Sequence, residues 1–268
     1  MTDADGRRAD PPQRATAAAF FDVDNTLLRG VSTFYLAREM HEVGFFDRKD
    51  LAAISREALR YALRGERNSR LAGIQERALG MVAGHTRAEL AAVCESAYDH
   101  ALAHRIFPGA RAIVESHLAS GNEVWLVTAS PIEVGSLLAK RLGATGALGT
   151  VAQVEGDRYT GRLEGSLMHG ETKARAIRDL ADRRGLDLAT SSAYGDSAND
   201  LPMLRTVGHP VAVNPDRRLR RVAQHEGWPI RRYTHESKSS TALRISVLAA
   251  IAATGIVLHR ATRRPGGA

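Results

Sequence analysis

One stretch constrains the fold more than any other: Ala17-Ala18-Ala19-Phe20-Phe21-Asp22-Val23-Asp24-Asn25-Thr26-Leu27-Leu28. An apolar run this short, closing on Phe-Phe-x-Val after a polar leader, reads as a buried strand. Residues i and i+2 of an extended chain point the same way, so Asp22 and Asp24 leave the strand end on one side. Two carboxylates at that spacing repel unless a cation or a shared proton compensates them. Strand ends are where α/β proteins bind ligands. Taken alone, Asp22, Asp24, Asn25 and Thr26 fit a solvated Asx-type turn equally well, so the rest of the chain decides.

Beyond Asp24 the pattern is helical. Residues 31–43 and 50–64 carry apolar positions at three- and four-residue spacing, and a third helix is expected over 69–83. Thr86-Arg87-Ala88-Glu89 has the form of a capping box opening a fourth helix, 87–105. No convincing strand falls within 30–106. The rhythm then changes to strands alternating with helices: helix 109–120, strand 123–128, helix 132–142, a hairpin within 147–163, and helix 171–184. A strand follows at 191–196 and another at 211–213, then a helix from Pro215 to Glu226 and an edge strand at 228–230. Such alternation predicts an α/β fold, a parallel sheet covered by helices on both faces.

Charge is unevenly placed. From Arg205 onward there are 12 Lys or Arg against three acids, while the whole chain carries only +7, so the first 204 residues are slightly acidic. The basic C-terminal quarter points to an anionic surface, lipid headgroups or nucleic acid; solvated arginines are the plain alternative. No aromatic stacking pattern accompanies the arginines, which argues against nucleic acid. Cys94 is the only cysteine, which excludes an intrachain disulfide and fits a reducing, cytoplasmic setting; a partly buried structural thiol is expected. Met1 to Arg14 are polar and lack the apolar region of a secretory leader, so a disordered tail is expected.

The strand-end position with polar residues recurs three times. Strand 123–128 ends in Thr128-Ala129-Ser130, whose hydroxyl and following N–H groups suit an anion. Lys173 follows Gly170-Glu171-Thr172 at a helix start, where a cation opposes the helix dipole and so suggests an anionic partner. Gly195-Asp196-Ser197-Ala198-Asn199-Asp200 adds two carboxylates and an amide. Oxygen-only ligands suit a hard cation such as Mg²⁺. Carboxylates for a cation, a hydroxyl and an ammonium for an anion, and a nucleophile candidate together fit phosphoryl transfer. No Walker-type loop is present. His100 and His104 stand four apart on a helix, but with no third ligand nearby a solvated helix face is the reading.

In this order and spacing, Asp22-x-Asp24-x-Thr26, Thr128, Lys173 and Gly195-Asp196-Ser197-x-x-Asp200 resemble the four motifs of the haloacid dehalogenase superfamily of phosphatases. The resemblance covers about residues 17–232 and is nearest the phosphoserine-phosphatase-like branch, subfamily IB. It implies a Rossmann-like sheet (residues 15–29 and 107–235) with an inserted helical cap (30–106), between a tail at 1–14 and a basic linker with an apolar helix at 236–268. It implies an Mg²⁺-dependent hydrolase of small phosphomonoesters, phosphoserine or another. Asp22 would be nucleophile and metal ligand, and Asp24 the general acid and base. Mg²⁺ would be held by Asp22, the carbonyl of Asp24 and Asp196, with Asp200 and Asn199 in support. Thr128 and Lys173 would hold the phosphoryl group, Thr26 would set the loop after Asp24, and Arg77 would be the cap arginine that meets substrate. A phosphotransferase or phosphomutase on the same scaffold, or a membrane-associated interaction protein with a vestigial site, are the alternatives.

Two features depart from phosphoserine phosphatases. Those enzymes place an acid shortly after the first motif, where this chain has Arg29-Gly30-Val31-Ser32-Thr33, and have Ser-Gly-Gly where it has Thr-Ala-Ser. Residues 241–259 include an uncharged run, Ile245 to Leu258, bounded by Arg244 and Arg260. As a helix that run spans about 21 Å at ~1.5 Å per residue, against a bilayer core of about 30 Å. Spanning a membrane, lying on its surface and docking on the sheet all stay open.

Overall fold

The structure is a computed structural model that describes residues 16–45 and 82–233. The helices expected at 50–64 and, up to residue 81, at 69–83, Arg77, the tail at 1–14 and the 236–268 segment with its apolar run lie outside the described residues. In chain order the elements are β1 (Ala18–Asp22), α1 (Ser32–Glu42), α2 (Arg87–Ala97), α3 (Pro108–Ala119), β2 (Glu123–Pro131) and α4 (Ile132–Leu142). Then come β3 (Gly146–Thr150), β4 (Ala152–Glu155), β5 (Arg158–Leu163), α5 (Glu171–Arg184) and β6 (Ser192–Gly195). The last are α6 (Leu201–Leu204), β7 (His209–Val213), α7 (Arg217–His225) and β8 (Ile230–Arg231). A π turn (Tyr98–Leu102) and a 3₁₀ turn (Ala103–Arg105) follow α2, and a second 3₁₀ turn (Ala198–Asp200) precedes α6.

The chain divides into two compact units. One comprises the chain through Val31, Arg105–Gly149 and Met168–Arg232, and the other contains Ser32–His104 and Thr150–Leu167.

In the first unit six strands form one sheet in the order β3-β2-β1-β6-β7-β8. β1 pairs in parallel with β2 and β6, β6 with β7, and β7 with β8. The chain therefore forms the expected α/β, Rossmann-like sheet. All five residues of β1 are buried, because a parallel central strand is covered on both faces. Its alternation survives in what each side chain meets. Phe20 packs in a cluster with Ile177 and Leu180 of α5, Met203 and Leu204 of α6 and Leu219 of α7. Phe21 points the other way, stacking on Tyr194 with ring centroids 4.2 Å apart and meeting His117 of α3 edge-on. Full burial of each phenyl group contributes about 1.5–3 kcal/mol. The His117 Nε2 lies 2.8 Å from the Tyr194 hydroxyl, and burial holds the imidazole below its ordinary pKa. Asp22 follows Phe20 by two residues, so it leaves the strand on the face covered by α5. That placement positions the site.

Three local readings are refined. The hairpin expected within 147–163 is formed by β4 and β5, turning at Gly156-Asp157, while β3, not foreseen as a separate strand, joins the edge of the main sheet. β3 gets close because Gly149 has no side chain; a Cβ there would lie 2.7 Å from the Cα of Ile132. β2 continues to Pro131, and α7 starts after Asp216, which takes the N-cap in place of a start at Pro215.

The second unit contains α1, α2 and the hairpin. The capping box forms as expected: Thr86 Oγ1 accepts the Glu89 N–H at 3.1 Å, and Glu89 Oε2 accepts the Thr86 N–H at 2.6 Å. Thr86 also bridges to Arg158 of β5, and the Gly84 N–H donates to the Tyr159 carbonyl at 2.8 Å. Glu39 is buried and its Oε1 meets the Ser96 hydroxyl and His100 Nδ1. His100 is thus engaged by a carboxylate, and Cys94 is a buried thiol. Among the described residues no helix is long and apolar enough to cross a membrane.

Candidate active site

The chain turns sharply after β1. Asn25 adopts a left-handed backbone (φ 62°), a region that Asn tolerates better than most residues. Its N–H donates to the Leu28 carbonyl at 2.7 Å, and the Leu27 and Leu28 N–H groups donate to the Val23 carbonyl at 2.9 and 3.0 Å. Asn25 Oδ1 accepts the Gly30 N–H at 3.1 Å. The turn leaves Asp22 buried and Asp24 half-buried just beyond the strand. Thr26, expected to set this loop, is buried with its hydroxyl unpartnered among the described residues. The main chain and Asn25 shape the loop instead.

Lys173, in the first turn of α5, is only 3% exposed. Its ammonium donates to Asp22 Oδ1 and, at 2.8 Å, to Asp200 Oδ1. The helix-dipole anomaly seen in the sequence is resolved by these two anions. Asp200 Oδ2 accepts from the Ser197 N–H at 3.3 Å and the Ser197 hydroxyl at 3.1 Å. The stretch after Asp196 is therefore a capped 3₁₀ turn. Gly195 permits it: a Cβ there would lie 2.7 Å from the Asp200 Cβ. Thr128 lies one residue beyond Val127, the β2 partner of Asp22. It is buried, and its Oγ1 accepts the Ser130 N–H at 3.1 Å. That N–H is thereby occupied, and the Thr128 hydroxyl proton is the group with which Thr128 can donate to an anion.

Oxygens of Asp22, Asp196 and Asp200 all lie within 4.8 Å of one another. Burial, with repulsion from Asp200 and Asp24, raises the Asp22 carboxyl to about 7 even though Lys173 opposes the shift. Burial, then repulsion from Asp22 and Asp200, raises Asp196 to about 9. Burial by itself would lower Lys173, but Asp22 and Asp200 together hold it above its ordinary value. When all three carboxyls are ionised, one ammonium among them leaves two negative charges uncompensated, and all the ligand atoms are oxygens. A divalent hard cation fits that set. Both oxygens of Asp200 already accept hydrogen bonds, so Asp22 and Asp196 have the freer atoms.

A pH-dependent response to Mg²⁺ follows. For an acid whose folded pKa is raised, stability is fully present below the unfolded value near 3.8 and is lost as pH climbs through the folded value. In EDTA, Asp22 and Asp196 therefore weaken the fold progressively up to pH of about 9. A cation must displace those protons, so its stabilisation grows over the same window. In thermal melts, Mg²⁺ is expected to raise the midpoint clearly at about pH 8.5 and little at about pH 5. Equal shifts at both would contradict this charge balance.

The structure thus brings Asp22, Lys173, Asp196 and Asp200 into one contact network, with Asp24 beside it. Asn199 is exposed; the side-chain bonds that orient its loop come from Ser197, Asp200 and Asp216. Asp216 is a site residue that the sequence reading passed over, although its place before Arg217-Arg218-Leu219 carries an N-cap signal.

A family model described as haloacid dehalogenase-like hydrolase matches residues 19–205. The chain is 43% identical over 262 residues to a Mycobacterium tuberculosis protein named phosphoserine phosphatase SerB1, covering 97% of this chain and 85% of that one. It is 29% identical over 216 residues to a histidinol-phosphatase of Neisseria meningitidis, covering 79% and 96%. Among solved structures, a protein of unknown function from Bordetella pertussis aligns at a TM-score of 0.72 with 31% identity, over 81% of this chain and 98% of that one.

Proposed function

The chain belongs to the haloacid dehalogenase-like hydrolase family, and from that premise we propose that it is an Mg²⁺-dependent phosphatase that hydrolyses small phosphomonoesters. The observation that carries the reading is Lys173 clamped between Asp22 and Asp200 inside a buried cluster of carboxylates. Such a site presents a fixed anionic nucleophile beside fixed positive charge. Positioning and neutralisation are what phosphoryl transfer needs.

In this reading the Asp22 carboxylate attacks phosphorus. A bond forms from its oxygen to phosphorus as the bond to the ester oxygen breaks, leaving an aspartyl-phosphate. Asp24, half-buried beyond the strand, protonates the departing oxygen. It then takes a proton from the water that attacks the aspartyl-phosphate, releasing phosphate and restoring Asp22. Lys173 fixes the orientation of Asp22 and offers positive charge to the phosphoryl oxygens, and Thr128 donates its hydroxyl proton to them. Asp22, the Asp24 carbonyl and Asp196 would hold Mg²⁺, with Asp200 in support. When bound, Mg²⁺ supplies charge stabilisation for the phosphoryl oxygens.

The relatives named for phosphoserine and histidinol phosphate both act on small phosphomonoesters by their names, which supports the class rather than one ester. The absence of an acid in Arg29–Thr33 argues for a substrate without an ammonium at that position, since such a group needs a carboxylate partner. The test is phosphate release from an aryl phosphate and a panel including O-phosphoserine and histidinol phosphate. Release that requires Mg²⁺ and stops with EDTA is expected, without any added acceptor alcohol. A strict acceptor requirement would favour phosphotransfer, and no release from any ester would overturn the proposal.

A further inference from the structure

We propose that Asp216 is a positioning residue for the metal loop, acting through the main chain of residues 196–198 and not on the substrate. This rests on the reading of Asp22 and Asp196 as an Mg²⁺ site.

The segment Val213-Asn214-Pro215-Asp216-Arg217-Arg218-Leu219 carries the chain from the end of β7 into α7. Asp216 Oδ1 accepts the N–H groups of Arg218 and Leu219 at 2.9 and 2.7 Å. That is an N-cap, and it needs only one oxygen. The second oxygen does something else. Asp216 Oδ2 accepts the Ala198 N–H at 3.2 Å, and the Asp216 N–H donates to the Asp196 carbonyl at 2.7 Å. One residue thus grips the main chain on both sides of Ser197. Two residues earlier, Asn214 adopts a left-handed backbone (φ 43°) and its Nδ2 donates to the Asn25 carbonyl at 3.3 Å. The connection from β7 to α7 therefore ties the loop after Asp24 to the loop after Asp196. Those two loops carry the candidate ligands.

The consequence is energetic. Oxygens of Asp196, Asp22 and Asp200 lie within 4.8 Å of one another, so the place of Asp196 depends on how its loop is held. Mg²⁺ demands near-ideal octahedral geometry. Groups that orient ligands from behind typically matter 10–100-fold in metal affinity. Removing the Ala198 bond should let the loop relax away from Asp22 and weaken Mg²⁺ binding without unfolding α7.

The test is Mg²⁺ titration calorimetry on the full chain with Asp216→Asn and Asp216→Ser. Both substitutes are good N-caps, so melting in EDTA should stay within about 2 °C of the parent chain. Neither can cap α7 and also accept from Ala198. The dissociation constant for Mg²⁺ is expected to rise about 10-fold or more in both. The rise should persist in about 1 M KCl, where screening reaches ~3 Å. An unchanged dissociation constant would leave Asp216 a helix cap alone, whether or not melting shifts. A weakening that disappears in high salt would reduce it to a remote charge. Either result overturns the proposal. A parent chain that binds no Mg²⁺ and releases no phosphate would instead overturn the metal reading beneath it.

Discussion

Asp22→Asn is expected to remove phosphate release while leaving the fold at least as stable as before. The two side chains have the same shape, so Phe20, Phe21 and the sheet register are undisturbed. The amide cannot act as the anionic nucleophile, and neither neighbouring carboxylate of the cluster can replace it. Asp200 is held by Lys173 and Ser197, and Asp196 stands on a different loop. We expect a loss of at least ~10³-fold in kcat/KM, or about 4 kcal/mol of transition-state stabilisation at 1.36 kcal/mol per factor of ten. Stability should move the other way. Asp22 is buried and raised to about 7, so its ionised form costs free energy above that pH, and the uncharged amide avoids the cost. Melting in EDTA at about pH 8.5 should therefore not fall, whereas the gain from added Mg²⁺ should shrink because one anionic ligand is lost. Substantial turnover by Asp22→Asn would rule out the aspartyl-phosphate route. Asp24→Asn provides the comparison. It keeps the nucleophile and loses the proton carrier, for which a factor of about 10²–10⁴ is typical.

The fate of individual residues explains what the sequence could disclose. The strand carrying Asp22 was legible because a short apolar run is a local signal and parallel central strands are buried along their whole length. The capping box at Thr86 and Glu89 was legible for the same reason, since both partners lie within four residues. Lys173 was legible as an anomaly, a cation where the helix dipole disfavours one, although its two partners lie far away in the chain. What stayed hidden depends on approach between distant segments. Gly149 and Gly195 give no periodic signal, yet each admits a backbone or carboxylate that a Cβ would exclude. The edge pairing of β3 and the turn at Ala198–Asp200 therefore leave no local pattern in the sequence. Asp216 shows the limit best. Its capping role can be read from the next three residues, but its bond to Ala198 cannot, because that contact exists only once β6 and β7 lie side by side. Thr26 is the converse: its place in the motif suggests a part in setting the loop, yet its hydroxyl has no partner among the described residues, and the hydrogen bonds of the turn come from Asn25 and the main chain.

Lys173→Met should be the most destabilising single change at the site, with a cost that depends on pH. Methionine fills much of the volume of the lysine stem, so packing around α5 is largely kept. What disappears is the only ammonium among the described residues that is bonded to Asp22 and Asp200, both of which are buried. Breaking a buried pair by removing one partner typically costs 3–5 kcal/mol, because the remaining charge is uncompensated. The sign with pH follows from the carboxylates. Lys173 lowers the pKa of Asp22 and of Asp196 in the folded protein, so without it both rise further. For an acid with a raised folded pKa, stability is retained below the unfolded value near 3.8 and lost as pH climbs through the folded value. Below about pH 5 the crowded carboxyl groups can hold protons in the folded state, and the variant should lose little. Toward about pH 8.5 the same groups are ionised in the unfolded chain but in the folded variant must keep a proton or ionise beside one another, and the full cost should appear. Urea denaturation in EDTA at those two pH values measures the difference. A loss of roughly 3–5 kcal/mol at the higher pH and less than half of that at the lower is expected. Mg²⁺ should return more stability to the variant than to the parent chain at about pH 8.5, since it replaces part of the missing positive charge, while turnover stays low because Lys173 no longer orients Asp22. A loss that is the same at both pH values would mean that Lys173 stabilises the fold by packing, and that the carboxylates around it do not carry the charge on which the proposed chemistry depends.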